Sequence, residues 1–187
     1  ILVEDSLKAL QLLACHHRQQ LGIPVIAITG TNGKTTTKEL TASVLSTTYC
    51  LLYTEGNLNN HIGVPLTLLR LTPEHQLALI EMGASKPGDI DELCAIAEPN
   101  YGLITNIGRA HLEGFGSIEG VRRTKGELYD SLRARKGIVF FRAEDKTLEE
   151  MSKGIDRIDY GTDPEARIVG QATPYISPIG PPVGVLL

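Results

Sequence analysis

The chain has 187 residues, 42% hydrophobic and 21% charged, with a formal net charge of −4. That is enough apolar surface for one substantial core, and it excludes disorder as the default state. The acidic balance argues against nucleic acid as a partner, since a polyanion calls for a concentrated basic surface. No apolar run approaches the roughly 18 residues that cross a bilayer, so no membrane partner is expected.

Val3, Leu7, Leu10 and Ala14 fall on one helical face, which predicts an amphipathic helix over 3–19. It delivers the chain to an apolar strand at 23–29. The run Thr29-Gly30-Thr31-Asn32-Gly33-Lys34-Thr35-Thr36 comes next, and Leu40, Val44 and Leu45 at helical spacing place a helix over 34–46. Further strands are expected at 50–53, 76–81, 101–106 and 137–141, with helices near 62–70, 88–97, 117–133 and 146–153. Such alternation predicts an α/β fold: a mostly parallel, P-loop NTPase-like sheet with helices on both faces. The nearly continuous apolar runs at 77–80 and 137–140 fit strands buried on both sides. Past Tyr160-Gly161 the alternation fades, and 166–170 and 183–187 are expected as short, extra antiparallel strands near the C-terminus.

Cys15, Cys50 and Cys94 are odd in number and far apart, without zinc spacing or a C-x-x-C pair. They predict reduced, mostly buried thiols in a cytoplasmic protein. The chain opens on Ile1 rather than Met and reads as an excised piece.

A strand, a glycine-rich turn and a helix in that order make a triphosphate cradle. Gly30 and Gly33 let backbone N–H groups turn inward, Lys34 reaches the outer phosphates, and the Thr35 hydroxyl meets Mg²⁺ at the positive end of the helix. ATP is the ligand this predicts. The pattern G-x-x-x-x-G-K-[ST] would need glycine at position 28, where Ile28 stands. The bland alternative is a chance Gly/Thr-rich turn.

Ligands of such sheets gather at the C-terminal ends of the strands, and three polar clusters fall there: 30–36, 81–85 and 106–111. Glu81 is a candidate Mg²⁺ ligand or an ordinary surface carboxylate. His111 follows Asn106-Ile107-Gly108-Arg109-Ala110 and is either a metal or phosphate partner or a plain loop histidine. The run from Gly56-Asn57-Leu58-Asn59-Asn60-His61 to Pro65 suits close approach to a nucleotide, or else a turn with an asparagine helix cap. Lys125 lies in a helical pattern and would by default be solvated, as would Arg122, Arg123, Arg133, Arg135 and Lys136.

The phosphate loop, Gly56-Asn57-Leu58-Asn59-Asn60 with Ile62-Gly63-Val64-Pro65-Leu66, Glu81-Met82-Gly83-Ala84, Asn106-Ile107-Gly108 through His111, and Lys125-Gly126-Glu127 together resemble the ATP-dependent Mur ligases. The likeness covers 1–161, the core of that family's central ATP-binding domain, with 162–187 a truncated remainder of the same domain. It is nearest to the branch that adds D-Ala-D-Ala to a UDP-N-acetylmuramoyl-tripeptide in peptidoglycan precursor synthesis. The resemblance implies an amide ligation through an acyl phosphate. Lys34 would hold the outer phosphates, Thr35 and Glu81 one Mg²⁺ and His111 a second. Lys125 would be carbamylated by CO₂ and so turned into a metal-facing anion. Gly30, Thr31, Asn32, Gly33, Thr36, Asn57 and Asn60 would complete the nucleotide contacts. The family's N-terminal uridine-nucleotide-binding and C-terminal Rossmann-like domains are not in this stretch, so the piece alone is expected to be inactive in full ligation. An asparagine of the family is replaced by Arg142. Another Mur-type ligase, a folylpolyglutamate synthase and a non-catalytic nucleotide-binding module are the alternatives.

Overall fold

The structure, a computed structural model, describes residues 2–108, 115–170, 173–175 and 184–186. Helix α1 (Ser6–Leu21) begins after Asp5, whose carboxylate accepts from the N–H groups of Leu7 and Lys8, and ends at Gly22 in the left-handed region. This cap moves the start three residues beyond the expected one and leaves Val3 in solvent. Then follow β1 (Val25–Thr29), α2 (Lys34–Leu45), β2 (Leu51–Tyr53), α3 (Gly63–Leu68), β3 (Leu77–Glu81), α4 (Asp89–Ala97) and β4 (Tyr101–Ile104). The long helix α5 (Ile118–Arg135), capped by Ser117, leads to β5 (Ile138–Arg142), α6 (Lys146–Met151), β6 (Asp156–Gly161) and β7 (Ile168–Val169).

These strands form a seven-stranded sheet in the order β2-β3-β1-β4-β5-β6-β7, with every pair parallel. The central strand β1 therefore runs between β3 and β4, and the loops after all three open on one edge. Alternate residues of β1 enter two cores. Val25 and Ala27 join the larger one with Ile80, Ile104, Val139, Val64, Leu93 and Leu128, so α1, α3, α4, α5 and α6 share that face. Ile28 joins Leu79, Leu103 and Ala42 beneath α2 on the other. Helices thus cover both faces, unequally.

Several sequence expectations are corrected here. The inward residues of α2 are Lys38 and Ala42, whereas Leu40 and Val44 face solvent at 58% and 65% exposure. Lys38 is wholly buried because its ammonium donates to the Thr54 carbonyl (2.7 Å) and the Glu39 carboxylate (2.6 Å). Strand β6 was not expected, since its charged, part-exposed residues at the far side of the sheet carry no apolar run. Strand β7 extends the main sheet in parallel rather than antiparallel fashion, with Tyr160 opposite Ile168. A separate antiparallel pair joins β9 (Gly184–Leu186), which falls within the expected strand 183–187, to β8 (Thr173–Tyr175), which was not expected. Of the cysteines only Cys94 is buried; Cys15 is half-buried and Cys50 exposed.

At the edge remote from the loops, Arg18 donates to the carbonyls of Ala97 and Glu98 and to Asn100 Oδ1, which also accepts the Val25 N–H. One side chain thereby joins α1 to the end of α4 and the start of β1. Leu128, with no exposed surface, packs α5 over β4 against the Cβ-free Gly102. Leu128→Ala is expected to cost about 3 kcal/mol through lost burial and a residual cavity, read from the midpoint of urea unfolding.

Candidate active site

Strand β1 continues to Thr29, and Ile28 is fully buried in the smaller core, so the glycine turn opens at Gly30 rather than at position 28. Gly30 has φ 140° and any Cβ there would collide with Thr105; Gly33, at φ 76°, starts α2. Both positions need glycine. The loop is tied to the exit of β4. Asn106 accepts the Thr31 N–H on its carbonyl (3.0 Å) and the Asn32 N–H on Oδ1 (3.2 Å). Asn106 Nδ2 and the Thr105 hydroxyl donate to the Asn32 carbonyl, and the Gly108 N–H donates to the Thr31 hydroxyl. Thr31 and Asn32 thus serve the loop's shape, and two further residues build the site: Asn106, expected only as the start of the run toward His111, and Thr105, expected only as part of the strand 101–106.

Lys34 Nζ donates to the carbonyls of Gly30 (2.9 Å) and Thr31 (3.0 Å), which holds the ammonium above the turn. Burial lowers its pKa, with Glu81 opposing. The N–H groups of the first turn of α2 have no partner further back in the helix and point toward the same place. Thr36 contributes at that level alone, its side chain being exposed.

Glu81 ends β3 with 1% of its surface exposed. The Thr35 hydroxyl (3.2 Å) and Asn59 Nδ2 (2.9 Å) both donate to Oε1, and the Glu81 N–H donates to the Thr54 hydroxyl. Oε2 is buried without a hydrogen-bond partner among the described residues. A buried carboxylate oxygen in that state is costly unless a cation meets it. A hard oxygen donor beside a threonine hydroxyl and a phosphate cradle fits Mg²⁺. Among the described residues no cluster of three His, Cys, Asp or Glu side chains could hold a metal unaided, and a site with few protein ligands suits Mg²⁺, which keeps several waters and takes substrate phosphates as ligands.

A cavity of about 690 Å³ opens beside these groups, lined among others by Gly30, Lys34, Asn59, Gly83, Phe115 and Lys125. Lys125, expected by default in solvent, is 3% exposed, with its ammonium 5.6 Å from the centre of the Phe115 ring. Burial first, and then Lys34, push its pKa down to about 8; Asp89 and Glu127 pull the other way. Glu127 accepts the N–H groups of Gly88 (2.8 Å) and Asp91 (3.0 Å), capping α4 from outside and fixing α5 against it. Asn60 lines the cavity but spends Oδ1 on the N–H groups of Ile62 and Gly63, as the helix-cap reading had it. Asn57 is exposed and does not line the cavity. Asn59, not singled out from the sequence, is the member of that run which reaches Glu81. Arg142 is exposed and pairs with Glu144 at 3.0 Å. His111 lies outside the described residues.

A glycine turn between a central strand and its helix, with an acidic residue closing the neighbouring parallel strand, defines the phosphate-loop class of α/β proteins. Within that class the chain belongs to the Mur ligase middle-domain family, whose model matches residues 28–176. Over 144 residues it is 47% identical to UDP-N-acetylmuramoyl-tripeptide–D-alanyl-D-alanine ligase of Escherichia coli, covering 77% of this chain and 32% of that protein. A crystal structure of MurF from Acinetobacter baumannii superposes with a TM-score of 0.81 at 41% identity, covering 87% of this chain and 37% of that one. MurF ligase from Thermotoga maritima in complex with ADP gives 0.79 at 33% identity, covering 87% and 38%. The chain therefore spans about a third of the length of these relatives. No helix among the described residues is long and apolar enough to cross a membrane.

The depressed pKa of Lys125 has a defined signature in stability. Below about pH 8 the lysine is charged in both states, and the folded state carries the full penalty of burial. Between about 8 and 10.5 the unfolded chain holds the proton and the folded one does not, so stability rises with pH; above 10.5 both are neutral and the penalty is gone. Comparing wild type with Lys125→Met by urea unfolding in CO₂-free buffer is expected to isolate a rise of about 3 kcal/mol across that window, absent in the variant.

Proposed function

We propose that this chain is the ATP- and Mg²⁺-binding part of a ligase that joins D-Ala-D-Ala to UDP-N-acetylmuramoyl-tripeptide. The single observation that carries the reading is the buried Glu81 Oε2 beside Thr35 and Lys34, without a hydrogen-bond partner among the described residues. A carboxylate so placed suits a metal-bound triphosphate better than any purely structural role. The identity to the E. coli ligase supports the choice of substrates.

In the proposed reaction the C-terminal carboxylate of the tripeptide attacks the γ-phosphorus of ATP, the bond to the β-phosphate oxygen breaks, and ADP leaves. The amine of D-Ala-D-Ala then attacks the acyl phosphate, loses a proton and expels phosphate, so one amide forms for each ATP consumed. Two like-charged reactants must meet, and charge neutralisation and positioning dominate the catalysis. Lys34 and the first-turn N–H groups of α2 would hold the outer phosphates, while Thr35 and Glu81 would hold one Mg²⁺ and His111 a second. When bound, Mg²⁺ supplies neutralisation of the phosphate charge. Lys125 stands across the cavity from the phosphate loop. With a pKa of about 8, about a tenth of it is free amine at pH 7, several hundred times the fraction of an ordinary lysine. That amine attacks CO₂, forms an N–C bond and releases a proton, and the resulting carbamate supplies the oxygen anion that an ammonium cannot.

The flanking domains of the longer polypeptide would bind the uridine nucleotide and close over ATP and the amine. A cytoplasmic location goes with the reading, as the compartment that keeps the three unpaired cysteines reduced.

Calorimetry with ATP and Mg²⁺ is expected to show binding that Lys34→Ala weakens by about 10- to 100-fold, the loss of a charge-assisted contact; identical responses would refute the cradle. The full polypeptide should release phosphate only when tripeptide precursor and D-Ala-D-Ala are both present. With ¹³C-bicarbonate at pH 8, the wild-type chain should give a carbamate carbon signal that Lys125→Ala lacks. Indistinguishable spectra would remove the modification from the mechanism.

A further inference from the structure

We infer that Asn59 is the positioning residue of the metal carboxylate: its side-chain N–H holds Glu81 Oε1 so that Oε2 is the oxygen left to face Mg²⁺. The inference rests on the nucleotide reading above and adds a residue to it.

The terminal torsion of a glutamate is broad and roughly two-fold, so nothing in Glu81 itself decides which oxygen turns toward the phosphate loop. The donors around it decide. Oε1 receives two, Asn59 Nδ2 at 2.9 Å and the Thr35 hydroxyl at 3.2 Å, and Oε2 receives none among the described residues. The hydroxyl can rotate, and its oxygen is needed for the cation. The Asn59 amide makes no other hydrogen bond among the described residues and is the fixed donor.

The backbone holds Asn59 in place independently of its side chain. Its carbonyl accepts the Gly83 N–H at 2.7 Å, two residues beyond Glu81, and its own N–H donates to the Asn57 carbonyl at 2.8 Å. Gly83 keeps the approach open, since a Cβ there would lie 3.0 Å from Asn59 Oδ1 and 3.1 Å from its Cγ. The loop is thus docked on the end of β3 by main-chain contacts that any residue but proline preserves at 59, which leaves the side chain to Glu81. Outer donors of this kind commonly change metal affinity by about 10- to 100-fold.

The test titrates Mn²⁺ with ADP into the wild-type chain, Asn59→Ala and the apolar isostere Asn59→Leu, reading free Mn²⁺ by electron paramagnetic resonance. ADP binding in EDTA and thermal midpoints are measured alongside. Both variants are expected to lose Mn²⁺ affinity by about 10- to 100-fold while metal-free ADP binding stays within about twofold. Asn59→Leu keeps the loop filled should the alanine variant fail to fold. An Mn²⁺ midpoint within about twofold of wild type in either folded variant, or equal losses with and without metal, overturns the assignment to Asn59. No Mn²⁺–ADP binding by the wild-type chain overturns the nucleotide reading itself and this inference with it.

Discussion

A single buried negative charge organises the upper edge of this sheet. Glu81 is carried to the end of β3 by four consecutive buried or half-buried apolar residues, and a carboxylate delivered so deep must be answered by donors and cations. The carboxylate is answered from two separate segments, the hydroxyl at the start of α2 and the amide ahead of α3, while the Thr54 hydroxyl after β2 accepts the Glu81 backbone N–H and fixes the strand end that carries it. The geometry around Glu81 is therefore a product of strand order, with β3 directly beside β1.

On the other flank of β1 the constraint is the backbone. The phosphate loop makes few interactions with itself beyond the Lys34 ammonium, and its shape is imposed by Thr105 and Asn106 as β4 ends. A turn without regular secondary structure would otherwise keep much of its conformational freedom. Anchoring it to a neighbouring strand removes that freedom in advance, which is the form preorganisation takes when catalysis depends on positioning. The same economy governs α5, whose Glu127 caps α4 while Lys125, half a turn earlier, faces the cavity.

The fold was readable in the sequence where burial is two-sided and apolar, as in β1, β3 and β4, and it failed where burial is partial. Strand β6 is half charged because it lies toward the edge of the sheet, and α2 turns Leu40 and Val44 outward while Lys38 joins Ala42 on its inward face. For the site, the glycine loop was legible from local pattern, which left Glu81 open between a metal ligand and a surface carboxylate; its burial at the end of β3 sets aside the surface reading. Lys125 was not legible, since a lysine in a polar helix looks solvated until α4 and Phe115 are packed over it; only resemblance to a family pointed to it. Among three nearby asparagines, which one reaches Glu81 is settled by a turn whose geometry no linear spacing encodes. Residues 109–114, with His111 among them, lie outside the described residues.

The two glycines of the loop exclude other residues on different grounds. At Gly30 the space is filled by Thr105, whereas Gly33 has nothing within 4 Å of where a side chain would begin and is restricted by its backbone angle of 76° alone. That angle is strained for an L-residue and relaxed for its mirror image. A semisynthetic chain with D-alanine at position 33 would keep the turn and lose conformers only from the unfolded ensemble, so the start of α2 is limited by handedness and not by volume.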